Sequence, residues 1–189
     1  MRVSKEHKKK VRREILDAAS TGFREEGFNG LGVDGLAKRA GMTSGAFYGH
    51  FSSKGDAFQE VVTLGLQDYG QAVRQFQNEH GAAWAEKFLD YYLGKEHVDD
   101  LSHSCVVPGL SSDVVRAGEE LKQIYEAEIG RISSLMSSAS GGLAAEDAPA
   151  FLALLAGAVM MARSVSSGQM VKTILASARR QAEAMLVRK

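Results

Sequence analysis

The stretch AGMTSGAFYGHFSSK, residues 40–54, decides the fold because it places a tight turn between two short helices. Residues 33–40 before it keep the spacing of an apolar helix face, and Gly41 interrupts that spacing. Ser44, or the threonine before it, can cap the next helix, which we expect to end near His50. Two short helices joined by a turn that contains glycine are typical of a helix-turn-helix.

The helix that begins at Ser44 contains Gly45 and Gly49, each of which costs roughly 1 kcal/mol relative to alanine in a helix interior. Phe47 and Phe51 are four residues apart, so they share a face and can anchor this weak helix to a core. The opposite face has small side chains apart from one tyrosine: Ser44, Gly45, Tyr48 and Gly49. The second helix of a DNA-binding helix-turn-helix lies in the major groove, where a sparse face permits close approach. Tyr48 and His50 can then reach phosphates, although a plain helical hairpin is an alternative.

The charge is divided unevenly along the chain, although its formal net value is zero. Residues 1–54 carry eleven Lys or Arg against six Asp or Glu, whereas residues 55–189 carry twelve against seventeen. A basic segment attached to an acidic remainder indicates that one end meets a polyanion. The alternative is that the basic residues only form a solvated helix face: Lys8, Lys9, Lys10, Arg12 and Arg13.

The remainder of the chain also follows a helical period, with two prolines and no useful stretch of β-alternation. We predict an all-α fold of about nine helices, with a helix-turn-helix domain at residues 1–54. Residues 55–189 are predicted to form a larger helical domain, and the family resemblance given below implies that it binds a ligand and dimerises. Within it, residues 94–104 are polar and are predicted to be a loop. The last two helices are expected at residues 148–166 and 168–187.

The expected location is the cytoplasm. The polar, basic start of the chain has no apolar secretory segment, and one cysteine cannot form an internal disulfide. The longest nearly apolar run, residues 148–162, is too short and too rich in alanine to span a bilayer, so a buried helix is the better interpretation.

Residues 27–58, GFNGLGVDGLAKRAGMTSGAFYGHFSSKGDAF, resemble the N-terminal domain of the TetR family of transcriptional regulators. The resemblance is strong over about residues 10–60, and beyond them only the length and the helical pattern agree. It implies that DNA is contacted by the residues at the matching positions: Thr43, Ala46, Tyr48, His50 and Lys54. Gly32 and Gly49 depart from the family pattern, since many members have Thr or Ser at the first position and a bulky residue at the second.

The resemblance also implies a small-molecule effector bound among the fourth to seventh helices, where it would tilt the fourth. The candidate lining residues are Trp84, Phe88, Tyr92, Cys105 and Tyr125, although these aromatic residues are typical of a core as well. Cys105 at a predicted helix start is either a thiol that senses electrophiles or oxidants, or a small buried core residue. Residues 97–105 contain His, Asp and Cys without the tight spacing of metal ligands, so no metal and no cofactor are expected.

A homodimer is predicted from the last two helices, because residues 148–162 are apolar on nearly all sides and one chain can cover only part of them. The expected contact residues are Phe151, Leu155, Val159, Ile174, Leu175 and Met185. Two helices from each of two chains would form a four-helix bundle around a two-fold axis.

These patterns favour a DNA-binding protein that is not an enzyme. The resemblance implies that it is a ligand-responsive repressor, which binds a near-palindromic operator in double-stranded DNA. The alternative is a small helical enzyme that uses Cys105 with His103 or His97. A cysteine nucleophile needs an oriented base, and the sequence shows no such arrangement. A helical interaction module is a third alternative, and neither alternative needs the basic helix-turn-helix.

Overall fold

The computed structural model describes residues 5–186, and it is helical from α1 to α10 with no β-strand in that range. The helices are α1 (Lys5–Gly30), α2 (Val33–Arg39), α3 (Ser44–Tyr48), α4 (Lys54–His80), α5 (Trp84–Tyr92), α6 (Lys95–Asp99), α7 (Val106–Val115), α8 (Glu119–Ser138), α9 (Ala148–Ser164) and α10 (Gly168–Leu186). A short 3-10 helix, Gly81–Ala83, joins α4 to α5. The predicted all-α class is confirmed. The predicted 1–54 and 55–189 domains and the 168–187 helix each include a few residues outside the described range.

Gly27 interrupts α1, as the sequence predicts, but the helix resumes and reaches Gly30. Gly27 has φ 73 and ψ 169, a backbone conformation that glycine adopts without strain from a side chain. The kink brings the backbone N–H of Phe28 to Asp113 of α7, whose Oδ2 accepts it at 3.1 Å. The end of α1 is thereby attached to the C-terminal part of the chain.

The long helix α4 connects the two regions of the fold. Ser53 caps its start, with the side chain accepting the N–H of Asp56 at 3.0 Å. Near this end, Phe58 packs edge-on against Phe23 of α1, with ring centroids 5.2 Å apart. Further along, Tyr69 packs edge-on against Phe88 of α5 at 5.7 Å. One continuous apolar core therefore extends from α1 to α10.

The segment 94–104 is not entirely a loop, because Lys95–Asp99 forms α6. Tertiary contacts explain this difference from the prediction. The ring of His97 lies 4.3 Å from that of Tyr92, and Val98 is buried. Arg163 of α9 donates hydrogen bonds to the carbonyl oxygens of His97 and Val98, at 2.8 and 2.9 Å. These bonds satisfy the free carbonyls at the end of a helix that its polar sequence does not favour.

No helix within residues 5–186 combines the length and the apolar character needed to cross a membrane.

Candidate nucleic-acid interface and internal cavity

The two faces of α3 differ as the sequence predicts. Phe47 and Phe51 are fully buried, with ring centroids 5.4 Å apart, and anchor the helix to the core. Thr43 caps α3 by accepting the N–H of Ala46 at 3.2 Å. On the outer face Gly45, Ala46 and Gly49 are exposed, and 58% of the surface of Tyr48 is exposed. Its ring packs edge-on against Phe47, with centroids 5.6 Å apart, but most of its surface faces solvent.

Gly45 has open space around it. A Cβ built at this position would meet no atom closer than Thr43 Oγ1, at 3.8 Å, which is ordinary contact. The packing of the chain therefore does not require glycine at this position. Alanine would fit there and would favour the helix. A missing side chain on an exposed helix face instead suits the close approach of an external partner.

Side-chain contacts hold the short helices in place. Ser44 donates a hydrogen bond to Asp34 of α2, which fixes α3 against α2. Arg12 of α1 pairs with Glu60 of α4, donates to the carbonyl of His50 and lies 4.2 Å from the centroid of the Phe51 ring. Arg12 therefore joins α1 to α4 and to the end of α3, and is not only part of a solvated basic face.

His50 lies in a positive environment. Its pKa is lowered from 6.5, first by burial and then by the charges of Lys8, Arg12 and His7. The imidazole is therefore neutral at neutral pH, and the positive charge near the end of α3 comes from the lysine and arginine of α1. Basic side chains of α1 therefore lie close enough to His50 to affect its pKa.

Lys54 is directed inward. Its ammonium donates to the carbonyl of Phe28 at 2.8 Å and lies 4.1 Å from the centroid of the Phe28 ring. The structure therefore gives this lysine a role in joining α1 to α4. This hydrogen bond uses one of the three N–H donors of the ammonium, so the DNA contact expected at this position stays a prediction.

A cavity of about 120 Å³ lies between α1, α4, α5 and the segment leading into α7. It is lined by Arg24, Gly65, Asp68, Tyr69, Ala72, Phe88, Tyr91, Tyr92, His97, His103, Ser104 and Cys105. Three of the predicted ligand-binding residues therefore meet here, namely Phe88, Tyr92 and Cys105. The other two do not: Trp84 is fully buried in the core, and Tyr125 pairs with Ser111 at 2.7 Å.

Cys105 caps α7 but is not activated by this position. Its sulfur accepts the N–H of Val107 at 3.4 Å, which favours the thiolate, as do Tyr92 and the nearby arginines. Burial outweighs these effects and raises the pKa of the Cys105 thiol. The thiol is therefore protonated at neutral pH and is a weak nucleophile.

His97 is not an effective base for Cys105. Its Nε2 accepts the backbone N–H of Cys105 at 3.3 Å, so this nitrogen is already occupied. Burial lowers the pKa of His97 to about 4. His103 is exposed and lies 3.4 Å from Asp100. Within residues 5–186, no group of three or more His, Cys, Asp or Glu side chains is arranged to hold a metal ion.

The predicted dimer residues fall into two sets. Phe151, Leu155 and Val159 are fully buried inside a single chain, so a second copy cannot reach them without unpacking the core. This corrects the expectation that they form the interface, which rested on helix hydrophobicity without knowledge of the covered side. The residues of α10 are partly buried: Ile174, Leu175 and Met185. The outer surface instead exposes Met160, Met161 and Met170, at 51%, 55% and 49%.

Residues 15–61 match the family model described as bacterial regulatory proteins, tetR family. This segment of the chain is therefore of the TetR type. It contains most of α1, the whole of α2 and α3, and the start of α4.

Two curated transcriptional regulators are each similar to part of the chain. The uncharacterized HTH-type transcriptional regulator YfiR of Bacillus subtilis is 36% identical over 91 residues, which is 47% of this chain and 44% of YfiR. The HTH-type transcriptional regulator AcrR of Shigella flexneri is 34% identical over 76 residues, or 40% of this chain and 35% of AcrR. The matched region thus spans less than half the length of either relative.

Solved structures of TetR-family proteins share the fold over nearly the whole chain. A TetR-family regulator from Agrobacterium tumefaciens superposes with a TM-score of 0.78 and 19% identity, covering 94% of this chain and 98% of that chain. The reduced form of Escherichia coli NemR superposes with a TM-score of 0.75 and 20% identity, covering 93% of this chain and 96% of NemR. At this level of identity the similarity establishes the fold of the C-terminal region and nothing about its ligand.

Sequence reasoning missed Arg24 and Tyr69 as cavity residues. Tyr69 belongs to the apolar stripe of α4, where it is indistinguishable from an ordinary core residue. Arg24 donates to the carbonyl of Ser104, eighty residues away, at 2.9 Å. The amphipathic pattern of α1 contains no signal for that contact.

Proposed function

We propose that the protein is a transcriptional regulator that binds a near-palindromic DNA operator as a homodimer, with α3 in the major groove. The observation that carries this proposal is the exposed, sparse outer face of α3 within a segment that matches the TetR family. Thr43, Ser44, Gly45, Ala46, Tyr48 and His50 are proposed to lie at the DNA. Lys54 is proposed to lie at the DNA as well, while its contact with Phe28 positions α4 against α1.

The test is selection of bound genomic fragments by the purified full chain. We expect the recovered fragments to share an inverted repeat, because a two-fold dimer presents two copies of α3 about 34–36 Å apart. Affinity for that repeat should fall steeply as salt rises, because lysine and arginine contacts release counterions from the phosphates. Recovery of random fragments, with no shared sequence, would contradict the proposal.

The outer faces of α9 and α10 are the proposed dimer surface. Exposed methionines at 160, 161 and 170 stand beside residues with small side chains, including Ala153 and Gly157, which permit close helix packing. An apolar surface of this kind on a helix pair suits the four-helix bundle of a symmetric dimer. Sedimentation at micromolar concentration should give twice the chain mass of 20.3 kDa.

We propose that the regulator is a repressor and that a small molecule in the cavity releases it from DNA. The cavity borders both α1, which belongs to the DNA-binding unit, and α4, which leaves it. A ligand there can favour one of two arrangements of these helices only if it binds that arrangement more tightly. The expected coupling is about 1–3 kcal/mol.

An effector that reacts with Cys105 is the less favoured alternative, because burial raises the pKa of the thiol. We expect a brief treatment with iodoacetamide at pH 7 to leave operator affinity the same in the wild type and in Cys105→Ser. A loss of affinity confined to the wild type would instead identify Cys105 as a sensing thiol. The enzyme alternative is disfavoured by the same observation together with the low pKa of His97.

A further inference from the structure

Arg24 places a positive charge in the cavity wall, and the carboxylates of Asp68 and Asp100 act on it only from a distance. Its Nε donates to the carbonyl of Ser104 at 2.9 Å and its Nη1 to the carbonyl of Ser20 at 3.0 Å. Its further contact is the Ser20 hydroxyl, so all three acceptors are neutral. No carboxylate forms an ion pair with Arg24 within the described part of the chain. Burial of the guanidinium lowers the pKa of Arg24, and the charges of Cys105, Asp68 and Asp100 offset only part of this effect.

Tyr69 adds an unused hydrogen-bond donor to the same cavity. Only 6% of this residue is exposed, and its buried hydroxyl has no hydrogen-bond partner among the described residues. Burial raises the pKa of Tyr69 well above 10, so the hydroxyl keeps its proton at physiological pH. Buried polar atoms are nearly always satisfied in folded proteins, and this donor therefore calls for an acceptor supplied from outside the chain.

The remaining wall limits the size of what can enter. The rings of Tyr69, Phe88 and Tyr92 pack with centroids 5.6–5.7 Å apart and form an apolar floor. The cavity of about 120 Å³ is somewhat smaller than an engineered cavity of about 150 Å³ that accepts benzene. A ligand of up to about six non-hydrogen atoms is therefore the expected size.

We propose that this cavity binds a small monocarboxylate, such as a short-chain fatty acid anion, as the effector. One carboxylate can accept hydrogen bonds from both the Arg24 guanidinium and the Tyr69 hydroxyl, which are the two groups left without suitable partners. The short hydrocarbon part then lies against the aromatic floor. Asp68 is exposed at the cavity edge and repels a second negative charge, which disfavours dicarboxylates. This inference deepens the proposed function by giving the chemical class of its effector.

The position of Arg24 links such a ligand to the DNA-binding unit. The residue after it, Glu25, accepts a hydrogen bond from Ser102 at 2.8 Å and pairs with Arg39 of α2, also at 2.8 Å. The same turn of α1 therefore contacts both the cavity segment and α2. A carboxylate that draws the guanidinium away from Ser104 changes how this turn is held.

The experiment is isothermal titration calorimetry of the full-length protein without DNA, at constant ionic strength. The probes are sodium propionate and sodium butyrate, with propionamide and butyramide as uncharged matches of the same size. We expect saturable binding of the carboxylates, and binding of the amides at least about tenfold weaker because an amide lacks the charge that Arg24 requires.

Two variants assign the site. Arg24→Gln should abolish carboxylate binding, whereas Arg74→Gln on the outer surface of α4 should leave it unchanged. Tyr69→Phe should weaken binding about tenfold, since it removes one hydrogen bond. It should not lower the melting temperature, because the deleted hydroxyl has no partner in the protein. This second variant keeps the test valid if Arg24→Gln does not fold.

Several results would overturn the proposal. They are no binding of either acid, equal binding of acids and amides, or carboxylate binding unaltered in both variants. Free alanine is a further probe, because its ammonium group could pair with Asp68. If the protein bound alanine more tightly than propionate, and lost this preference in Asp68→Asn, the cavity would be an amino acid site and the monocarboxylate assignment would be wrong. Because no DNA is present, these failures leave operator binding unaffected, and failure of the genomic selection leaves the calorimetry unaffected.

Discussion

The DNA-facing unit and the cavity are built in different ways. Residues 33–54 form their exposed surface from one continuous stretch, fixed by a local cap at Thr43 and by buried Phe47 and Phe51. The cavity instead gathers residues from Arg24 to Cys105, contributed by elements that are distant in sequence. A surface that meets a partner can thus be specified locally, whereas a cavity depends on how long helices pack. Each region therefore responds differently to substitution.

The largest expected effect comes from a charge placed in the core of the C-terminal region. Leu155→Glu should lower the free energy of unfolding by more than about 4 kcal/mol, because it buries a carboxylate without a partner. Urea denaturation followed by circular dichroism measures this loss.

The matched control for Leu155→Glu is Met161→Glu on the same helix, where 55% of the side chain is exposed. It should keep the helical circular dichroism signal and sediment as a monomer, since it charges only the proposed dimer surface. If Leu155→Glu instead folded normally and only split the dimer, the division between core and interface described here would be wrong.

The second effect is a loss of stability in acid that originates at the cavity. The pKa of His97 is about 4 in the folded chain against 6.5 for an unperturbed histidine, so the unfolded chain binds a proton first as pH falls. The contribution of the neutral His97 to the free energy of unfolding is therefore fully present above pH 6.5. It declines toward pH 4, by up to about 3 kcal/mol. Urea denaturation at pH 7, 5.5 and 4.5 should show this decline.

Two substitutions assign the acid effect. His97→Gln should reduce the dependence on pH between 6.5 and 4, whereas His103→Gln should not, since His103 is exposed. An identical profile in the wild type and in His97→Gln would show that other groups are responsible.

The third effect concerns the exposed face of α3. Tyr48→Ala should weaken binding to the selected operator about tenfold, because it removes one proposed contact with the phosphate backbone of the DNA. Val115→Ala is the control, because this side chain is also exposed, at 70% against 58%, but lies on α7. Fluorescence anisotropy with a labelled duplex and no effector measures both. If both substitutions lowered operator affinity equally, Tyr48 of α3 would not be a specific operator contact.

The comparison also explains what the sequence could and could not predict. The caps of α3 and the four-residue spacing of Phe47 and Phe51 are local signals, and the structure confirms them. The hydrogen bond of Lys54 to the Phe28 carbonyl joins residues 26 apart in the chain, so a local motif does not reveal it. The burial of Leu155 depends on which side of α9 its own chain covers, and an apolar helix pattern does not give that side.

The smallest effects come from two glycines in open space, one in each region. A Cβ at Gly45 meets only Thr43 Oγ1 at 3.8 Å, and one at Gly157 of α9 meets nothing within 4 Å. Alanine should therefore stabilise the helix at either position, by about 0.5–1 kcal/mol, as measured by urea denaturation.

The functional effects of the two substitutions should differ. Gly45→Ala should weaken operator binding and leave the dimer intact, because its methyl group stands on the DNA-facing side of α3. Gly157→Ala should instead weaken dimerisation measured by sedimentation, since it holds a second α9 further away. If Gly45→Ala gained stability and bound the operator as tightly as the wild type, close approach of DNA to this glycine would be excluded, and the sparse face of α3 would need another explanation.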